Sequence, residues 1–395
     1  DRLADDADPV ARVFSAAELG ALTAGEGAAP AELAPFPRTR SMHYTSGTTG
    51  RPTGVTSGLW DEATARAVYE DEASVWHFDP ADVHLVCSPM YHTVSIRWSV
   101  NTLLAGGSLA VLSRFDAATA LDALRRVRPT TTFLVPTHLQ RLLQLPGLGD
   151  DERWDSLRLL AHAGAPCPES VKRAIMGRVG PGVVWEFYGS TEAQFTVCSP
   201  DEWEAHPGSV GRARAGRRLF VDESDEGGTI WCDMPAFARF HYWRNEEATA
   251  AAWRGDACTV GDLGRLDPDG YLYLTGRRHD LIISGGVNVY PAEVENVLAG
   301  VDGVEEVAVF GLPDEQWGQR VCVAFVPSGG RSATSAEEAL RAAASVRLAP
   351  YKRPKSYIPA ADLPHTATGK LIRRAVPAHL GLDPDPEPDP PPGAP

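Results

Sequence analysis

An α/β fold is what this sequence predicts. It has a large unit of mostly parallel sheet covered by helices, with a small β-barrel-like part, then a small α+β unit. Three observations carry that expectation. Apolar strand-like runs alternate with helix-like runs between residues 117 and 188, which implies parallel strands joined by crossover helices. From residue 208 to 276 the pattern changes to short strands broken by Gly227-Gly228 and Asp269-Gly270, the chemistry of antiparallel hairpins. A charged, Gly-bounded join, Gly276-Arg277-Arg278-His279-Asp280, then precedes a last strand–helix–strand pattern of about a hundred residues.

In order, Ala117–Val127 is predicted helical and Thr130–Pro136 is predicted to be a buried strand. Thr137–Leu145 returns to helix and Leu157–Ala163 to strand. Pro168–Arg178 is expected as a helix with Pro168 in its first turn, where a missing N–H costs nothing. Val183–Tyr188 closes the alternating part as a strand. Beyond the join, Pro291–Leu298 reads as a proline-started helix, and Val304–Phe310 and Arg320–Val326 read as strands. The expected division is 1–276 for the large unit, with its β-rich part at 208–276. A hinge at 277–280, a small mobile unit at 281–380 and a Pro/acid tail at 381–395 complete it.

Bulk properties narrow the class. The 395 residues are 43% hydrophobic and 23% charged, ordinary for a globular enzyme. A net charge of −15 argues against a nucleic-acid partner, which demands clustered Lys and Arg. The tail from Asp383 to Asp389 alone contributes four acids. No apolar run is long enough to span a membrane and no signal peptide opens the sequence, so a cytoplasmic location is expected. The six cysteines, none in C-x-x-C spacing, fit a reducing compartment and no zinc ribbon. The chain lacks an initiator Met, as a fragment or processed form would.

The most informative segment is Tyr44-Thr45-Ser46-Gly47-Thr48-Thr49-Gly50-Arg51-Pro52-Thr53-Gly54. Four hydroxyls and two glycines fall within Thr45–Gly50. A loop that wraps a polyphosphate wants that composition, because glycines let the backbone approach and exposed N–H groups form an anion nest. A plain surface loop is the alternative. It is not a Walker A loop, since no G-K-[ST] follows. Tyr188-Gly189-Ser190-Thr191-Glu192-Ala193 directly follows an apolar strand, where ligands gather in open α/β sheets. A carboxylate there suits Mg²⁺, and a turn capped by Ser and Thr reads equally well. Gly164-Ala165-Pro166 follows another strand, as a flat site for a base or as a tight turn. Gly261-Asp262-Leu263-Gly264 holds one acid between glycines, and Thr366-Ala367-Thr368-Gly369-Lys370 holds one lysine on a loop.

Together, in this order, these segments resemble the adenylate-forming superfamily of acyl-CoA synthetases, adenylation domains and luciferases. The resemblance implies ATP, Mg²⁺ and coenzyme A as cofactors. It implies that Thr45, Ser46, Gly47, Thr48, Thr49 and Gly50 hold phosphates and that Gly164, Ala165 and Pro166 flank adenine. Tyr188 and Gly189 would line the base, Thr191 would touch the α-phosphate or the substrate carboxylate, and Glu192 would bind Mg²⁺. Asp262 would hold the ribose hydroxyls, with Arg277 on ribose or phosphate, and Lys370 would be the catalytic lysine of the mobile unit. His279 stands at the hinge, where the family usually has Asp or Lys, and it would let pH influence the swing. Thr53 replaces the family's usual loop lysine. Only 43 residues precede Tyr44, fewer than in family members, so part of the first subdomain is expected to be missing or supplied by a separate N-terminal segment.

Pro89-Met90-Tyr91-His92 resembles the segment that gates the acyl pocket, with His92 as gate or as core histidine. Amino-acid-activating relatives carry an Asp nearby, whereas Tyr91–Ser99 has no acid but Arg97 and Trp98. The expected substrate is therefore a carboxylic acid without an α-amino group, aryl or medium apolar. Its pocket walls would be His92, Trp98, His162, Trp185 and Phe195, with His138 and Cys198 beside them. The implied reaction is adenylation of that acid followed by transfer to coenzyme A. An amine or a carrier-protein thiol is the alternative acceptor, and a non-catalytic nucleotide binder is the second alternative.

Overall fold

A computed structural model describes residues 34–45, 53–149, 151–222, 228–277, 280–328, 330–366 and 371–382. The first strands, β1 (His43–Thr45) and β2 (Thr53–Thr56), pair antiparallel with Thr45 opposite Thr53. They are the two arms that carry the hydroxyl-rich loop. Helix α1 (Glu62–Trp76) is capped by Asp61, whose side chain accepts from the Thr64 N–H, and buries the stripe Ala65, Val68, Glu72 and Trp76. A glutamate on that stripe breaks the apolar period.

The central layer is a five-stranded, all-parallel sheet. Its strands are β3 (Val83–Val86), β4 (Ser108–Val111), β5 (Thr131–Leu134), β6 (Leu159–His162) and β7 (Val184–Glu186), in the spatial order β4-β3-β5-β6-β7. The connections are α2 (Thr93–Leu104), α3 (Ala117–Arg126), α4 (Pro136–Leu143) and α5 (Glu169–Met176). Leu85, Leu124, Leu139, Leu142, Leu160 and Ile175 fill the core between sheet and helices. Pro168 caps α5 from outside instead of entering its first turn, because its ψ of 135° is extended.

The β-rich part is antiparallel. A ribbon of β8 (Thr196–Val197) and β9 (Arg212–Ala213) flanks the short helix α6 (Pro200–Ala205). Then come β10 (Arg218–Val221), β11 (Gly228–Asp233), β12 (His241–Tyr242), helix α7 (Glu246–Ala252), β13 (Trp253–Arg254), β14 (Ala257–Cys258), β15 (Asp262–Leu266) and β16 (Leu272–Arg277). Among the described residues the pairing runs β13-β14-β11-β15-β16 with β10 on β11, an open sheet. Strand β12 leaves it and pairs with β2, Tyr242 opposite Val55.

The C-terminal sheet has its own core. Strands β17 (Ile282–Ser284), β18 (Val287–Val289), β19 (Val304–Asp314), β20 (Gly318–Pro327) and β21 (Ser356–Pro359) support helices α8 (Pro291–Leu298), α9 (Ala333–Arg347) and α10 (Val376–His379). Ile282, Val294, Leu298, Val309, Val323 and Leu340 pack one face, and Ala308, Phe310, Cys322 and Val376 pack the other. Leu382, inside the span expected as tail, packs against that second cluster. The β17–β18 turn is Gly285-Gly286, with φ of +61° and +79°, the two left-handed positions of a type I′ hairpin. A Cβ on Gly285 would stand 2.8 Å from the Trp317 ring, whereas one on Gly286 would meet nothing within 4 Å.

Gly285→Ala should therefore cost at least about 1–2 kcal/mol from backbone strain alone, and more from the Trp317 contact. Gly286→Asn should cost less than half of that. Urea midpoints of the two variants check the ordering.

Candidate functional site

The carboxyl ends of the parallel strands deliver three of the expected segments to one edge of the sheet. Chain leaving β3 reaches Pro89–His92, chain leaving β6 reaches Gly164-Ala165-Pro166, and chain leaving β7 reaches Tyr188–Glu192. His162 and Glu186 are register partners, so Gly164 and Tyr188 follow them side by side. Gly164 has φ +91°, which suits a residue without Cβ.

The Tyr188–Gln194 segment folds back on itself. Ser190 N–H donates to the Ala193 carbonyl at 2.8 Å, and Phe195 N–H donates to the Tyr188 carbonyl at 2.9 Å. Any Cβ on Gly189 would lie 2.4 Å from the Ala193 oxygen, so only glycine fits. Ser190 Oγ accepts from the Glu192 N–H at 3.2 Å. The turn leaves Thr191 and Glu192 half-buried.

Two phenols tie this turn to the rest of the site. Tyr188 Oη donates to Asp262 Oδ2 at 2.8 Å across 74 residues, and both groups are buried. The residues expected at the base and at the sugar are thus hydrogen-bonded neighbours. Asp262 is the register partner of Arg277 across β15–β16. The second phenol, Tyr242, donates to Glu192 Oε1 at 2.9 Å. Burial, and then the Glu192 carboxylate, push its ionisation far above the ordinary tyrosine range. Tyr242 sits on β12 beside β2, so one strand pairing connects Glu192 to the hairpin carrying the hydroxyl-rich loop. Sequence reasoning missed Tyr242, and a lone tyrosine before Arg244-Asn245 gave no signal for it.

Glu192 fits Mg²⁺ in kind. The ion prefers few protein carboxylates and takes its remaining ligands from phosphate oxygens and water. Among the described residues no cluster of three or more His, Cys, Asp or Glu could hold a metal by itself.

His92 precedes α2 with extended backbone (φ −84°, ψ 139°), is half-buried and lies 4.9 Å from the Tyr91 ring. The other expected pocket walls take interior positions. Trp98 is fully buried among Trp76, Phe78, His84 and Phe133. Phe195 is fully buried edge-on to Tyr188 at 5.5 Å. His162, also fully buried, lies 3.8 Å from Glu186, and burial holds its pKa well below the usual histidine value. Trp185 donates its indole N–H to the Gly182 carbonyl. His138 stacks on Phe115 at 3.6 Å, its pKa lowered to about 4 by burial, and Cys198 has no exposed surface. Trp98, Phe195, His162, His138 and Cys198 are buried, and Trp185 is partly exposed.

Ser46, Gly47, Thr48, Thr49, Gly50, His279 and Lys370 lie outside the described residues. The chain around the last two is joined nonetheless. Arg373 donates to Glu295 at 2.7 Å and also pairs with Asp280, so the residues after Lys370 are held to those after His279.

Comparisons place these features among known proteins. Residues 12–239 match the AMP-binding enzyme model, and residues 293–370 match the AMP-binding enzyme C-terminal domain. A 2-succinylbenzoate–CoA ligase of Geobacillus sp. (strain WCH70) is 32% identical over 384 residues, covering 94% of this chain and 75% of the ligase. The amide bond synthetase McbA from Marinactinospora thermotolerans superposes with TM-score 0.75 at 28% identity, covering 87% of this chain and 70% of McbA. An o-succinylbenzoate coenzyme A synthetase from Bacillus subtilis, solved with ATP and magnesium ion, gives TM-score 0.72 at 29% identity, covering 85% and 69%.

Tyr242→Phe should lower stability by about 1 kcal/mol through the lost hydrogen bond and loosen Glu192. Thermal unfolding reads the first effect. Calorimetric titration of Mg²⁺ in the presence of ATP should read the second as a several-fold weaker metal affinity.

Proposed function

This chain belongs to the AMP-binding enzymes, and we propose that it activates a carboxylic acid with ATP as an acyl-adenylate and transfers the acyl group to coenzyme A. The Tyr188–Asp262 hydrogen bond carries the reading, because it joins the candidate base site to the candidate sugar site at the carboxyl edge of the sheet. The 2-succinylbenzoate–CoA ligase likeness favours coenzyme A as acceptor. The McbA likeness keeps an amine as the second reading.

In this reading ATP lies over Gly164–Pro166 and Tyr188, with its ribose hydroxyls on Asp262 beside Arg277. One ionised carboxylate accepts two O–H donors, a strong charge-assisted arrangement. The hydroxyl-rich loop from Thr45 to Gly50 holds the phosphates. Glu192 would hold Mg²⁺, which would supply positive charge against the polyphosphate. The substrate carboxylate, oriented by His92 and Thr191, attacks the α-phosphorus, the bond to the bridging oxygen breaks, and pyrophosphate leaves. Lys370 supplies a point charge where negative charge grows in the transition state. The thiol of coenzyme A, after losing its proton, then attacks the acyl carbonyl and AMP departs.

The domain reading follows the same logic. Residues 1–276 form the nucleotide- and acid-binding unit, and residues 281–380 turn about 277–280 between the two half-reactions. The separate C-terminal core favours a unit that can move as one body. The acid is taken to lack an α-amino group, since no carboxylate lies within Tyr91–Ser99 to pair an ammonium. Nucleic acid is not a partner at a net charge of −15. Among the described residues no helix is long and apolar enough to cross a membrane. Six free cysteines, five of them buried, favour a reducing, cytoplasmic location.

Mass spectrometry after incubation with ATP, an acid panel and either coenzyme A or amines tests the reading. The expected product is an acyl-CoA with AMP; amides alone would select the second acceptor. Lys370→Ala should slow pyrophosphate release by about a hundredfold or more. Single-turnover transfer from a supplied acyl-adenylate should be largely retained, and equal loss of both steps would remove Lys370 from this role.

A further inference from the structure

Behind the Tyr188–Gln194 turn lies a buried charged network that the reaction just described does not use. Arg214, almost without exposure, donates to Gln194 Oε1 at 3.0 Å, to Glu72 Oε1 at 3.2 Å and to Asp71 Oδ2 at 2.9 Å. Arg217 forks onto both oxygens of Asp71 at 2.9 Å each. Arg97 reaches Gln194 Oε1 at 3.5 Å, and its Nε stands 3.7 Å from Glu72 Oε2. Burial pushes the Glu72 carboxyl up, but Arg97, Arg214 and Arg40 outweigh it and hold the group at about 2. The glutamate is therefore ionised.

Among the described residues the charges do not balance. Four guanidinium groups, Arg40, Arg97, Arg214 and Arg217, surround two carboxylates, Asp71 and Glu72. His43, also close to Arg97 and Arg40, has its pKa lowered by burial and stays neutral. Arg214 and Arg217 are matched by the two acids. Arg97 has one long hydrogen bond and a 3.7 Å ion pair with Glu72, and its buried Nε makes no hydrogen bond. Among the described residues the Arg40 guanidinium makes no hydrogen bond or ion pair, and it lies 5.5 Å from the Trp60 ring on a half-buried residue. Guanidinium donors withdrawn from water without acceptors are costly. A site built this way is complementary to an anion.

Its position says which anion. Arg97 follows His92 by five residues on α2, and Gln194 follows Thr191 by three on the returning turn. Arg40 lies on the chain entering β1. The pair thus sits just beyond the point where the reading above puts the reacting carboxylate. We propose that the acid carries a second anionic group, and that Arg97 and Arg40 bind it while the first carboxylate is adenylated. Five residues of helix rise about 7.5 Å, and an Arg97 side chain leaning back toward the helix N-terminus shortens that span to the reach of an acid with about three to five bonds between its carboxyl carbons. Trp98, packed next to Arg97 with no exposed surface, limits room for a longer apolar tail. A short diacid replaces the aryl or apolar acid expected from sequence.

The inference rests on the adenylation reading, and paired acids separate the two. ATP-dependent pyrophosphate release is measured for butyrate against succinate, pentanoate against glutarate, and hexanoate against adipate. At least one diacid should exceed its monoacid partner in kcat/KM by about tenfold to a hundredfold, the worth of one charge-assisted contact. Arg97→Gln should collapse that ratio towards one. Arg40→Gln, which breaks no hydrogen bond within the described chain, should collapse it too and serves if Arg97→Gln fails to fold. Turnover of monoacids and diacids alike, or a ratio that survives both substitutions, would overturn the inference alone. Silence with every acid would overturn it together with the adenylation reading.

Discussion

The hydrogen bond from the Tyr188 phenol to the Asp262 carboxylate is the constraint on which the rest of the site depends. It is made between two layers built on different plans. Tyr188 comes from the carboxyl end of a parallel strand, and Asp262 opens a strand of the antiparallel sheet. Neither layer fixes the position of the other by backbone pairing at this point. A buried carboxylate needs its lone pairs met, and the phenol meets one of them. The bond ties the two layers together at this point and so defines their registry.

The same logic recurs below the site. Glu186, two residues before Tyr188, is buried against Lys172 at 2.6 Å, and Lys172 is covered by the Trp203 ring at 4.5 Å. Burial raises the Glu186 carboxyl while the lysine opposes that shift. Such a pair adds little net stability over well-packed apolar residues, but removing one partner strands the other. It fixes α5 against β7 and so fixes where the chain emerges into the Tyr188 turn. Tyr242 does the equivalent for Glu192, and Arg373 for the chain beyond Lys370. The site is positioned by long-range polar pairs more than by the loops that display it.

This explains which parts could be read from the sequence. The strands and helices between residues 117 and 188 follow period and punctuation, and they appear within a few residues of expectation. Pro291–Leu298 appears with the expected bounds, because proline and apolar spacing mark it. Short motifs were legible because turn geometry restricts residue choice locally, as at Gly189. The burial of the expected pocket walls was not legible. A Trp or His near a motif looks the same in sequence whether it is exposed or buried, and Trp98, His162 and Phe195 are buried. Buried ion pairs were hidden for a related reason: Lys172 and Arg214 are indistinguishable in sequence from solvated charges. One signal did exist, Glu72 on the apolar stripe Ala65–Val68–Trp76 of α1.

That stripe leads back to the charged network. An acid placed where a helix should bury an apolar side chain must be compensated, and Arg214 and Arg97 supply the compensation. Arg214 and Arg217 hydrogen-bond the two acids directly, Arg97 stands further from Glu72 at 3.7 Å, and Arg40 is a fourth cation beyond them. An apolar residue at position 40 would satisfy the fold at lower desolvation cost. Arg97 beside the returning turn at Gln194, with Arg40 near it, makes sense if their partner arrives with the substrate. The buried acids then have a second role. They hold the cationic face in place before the ligand binds, so little reorganisation remains when a second carboxylate enters.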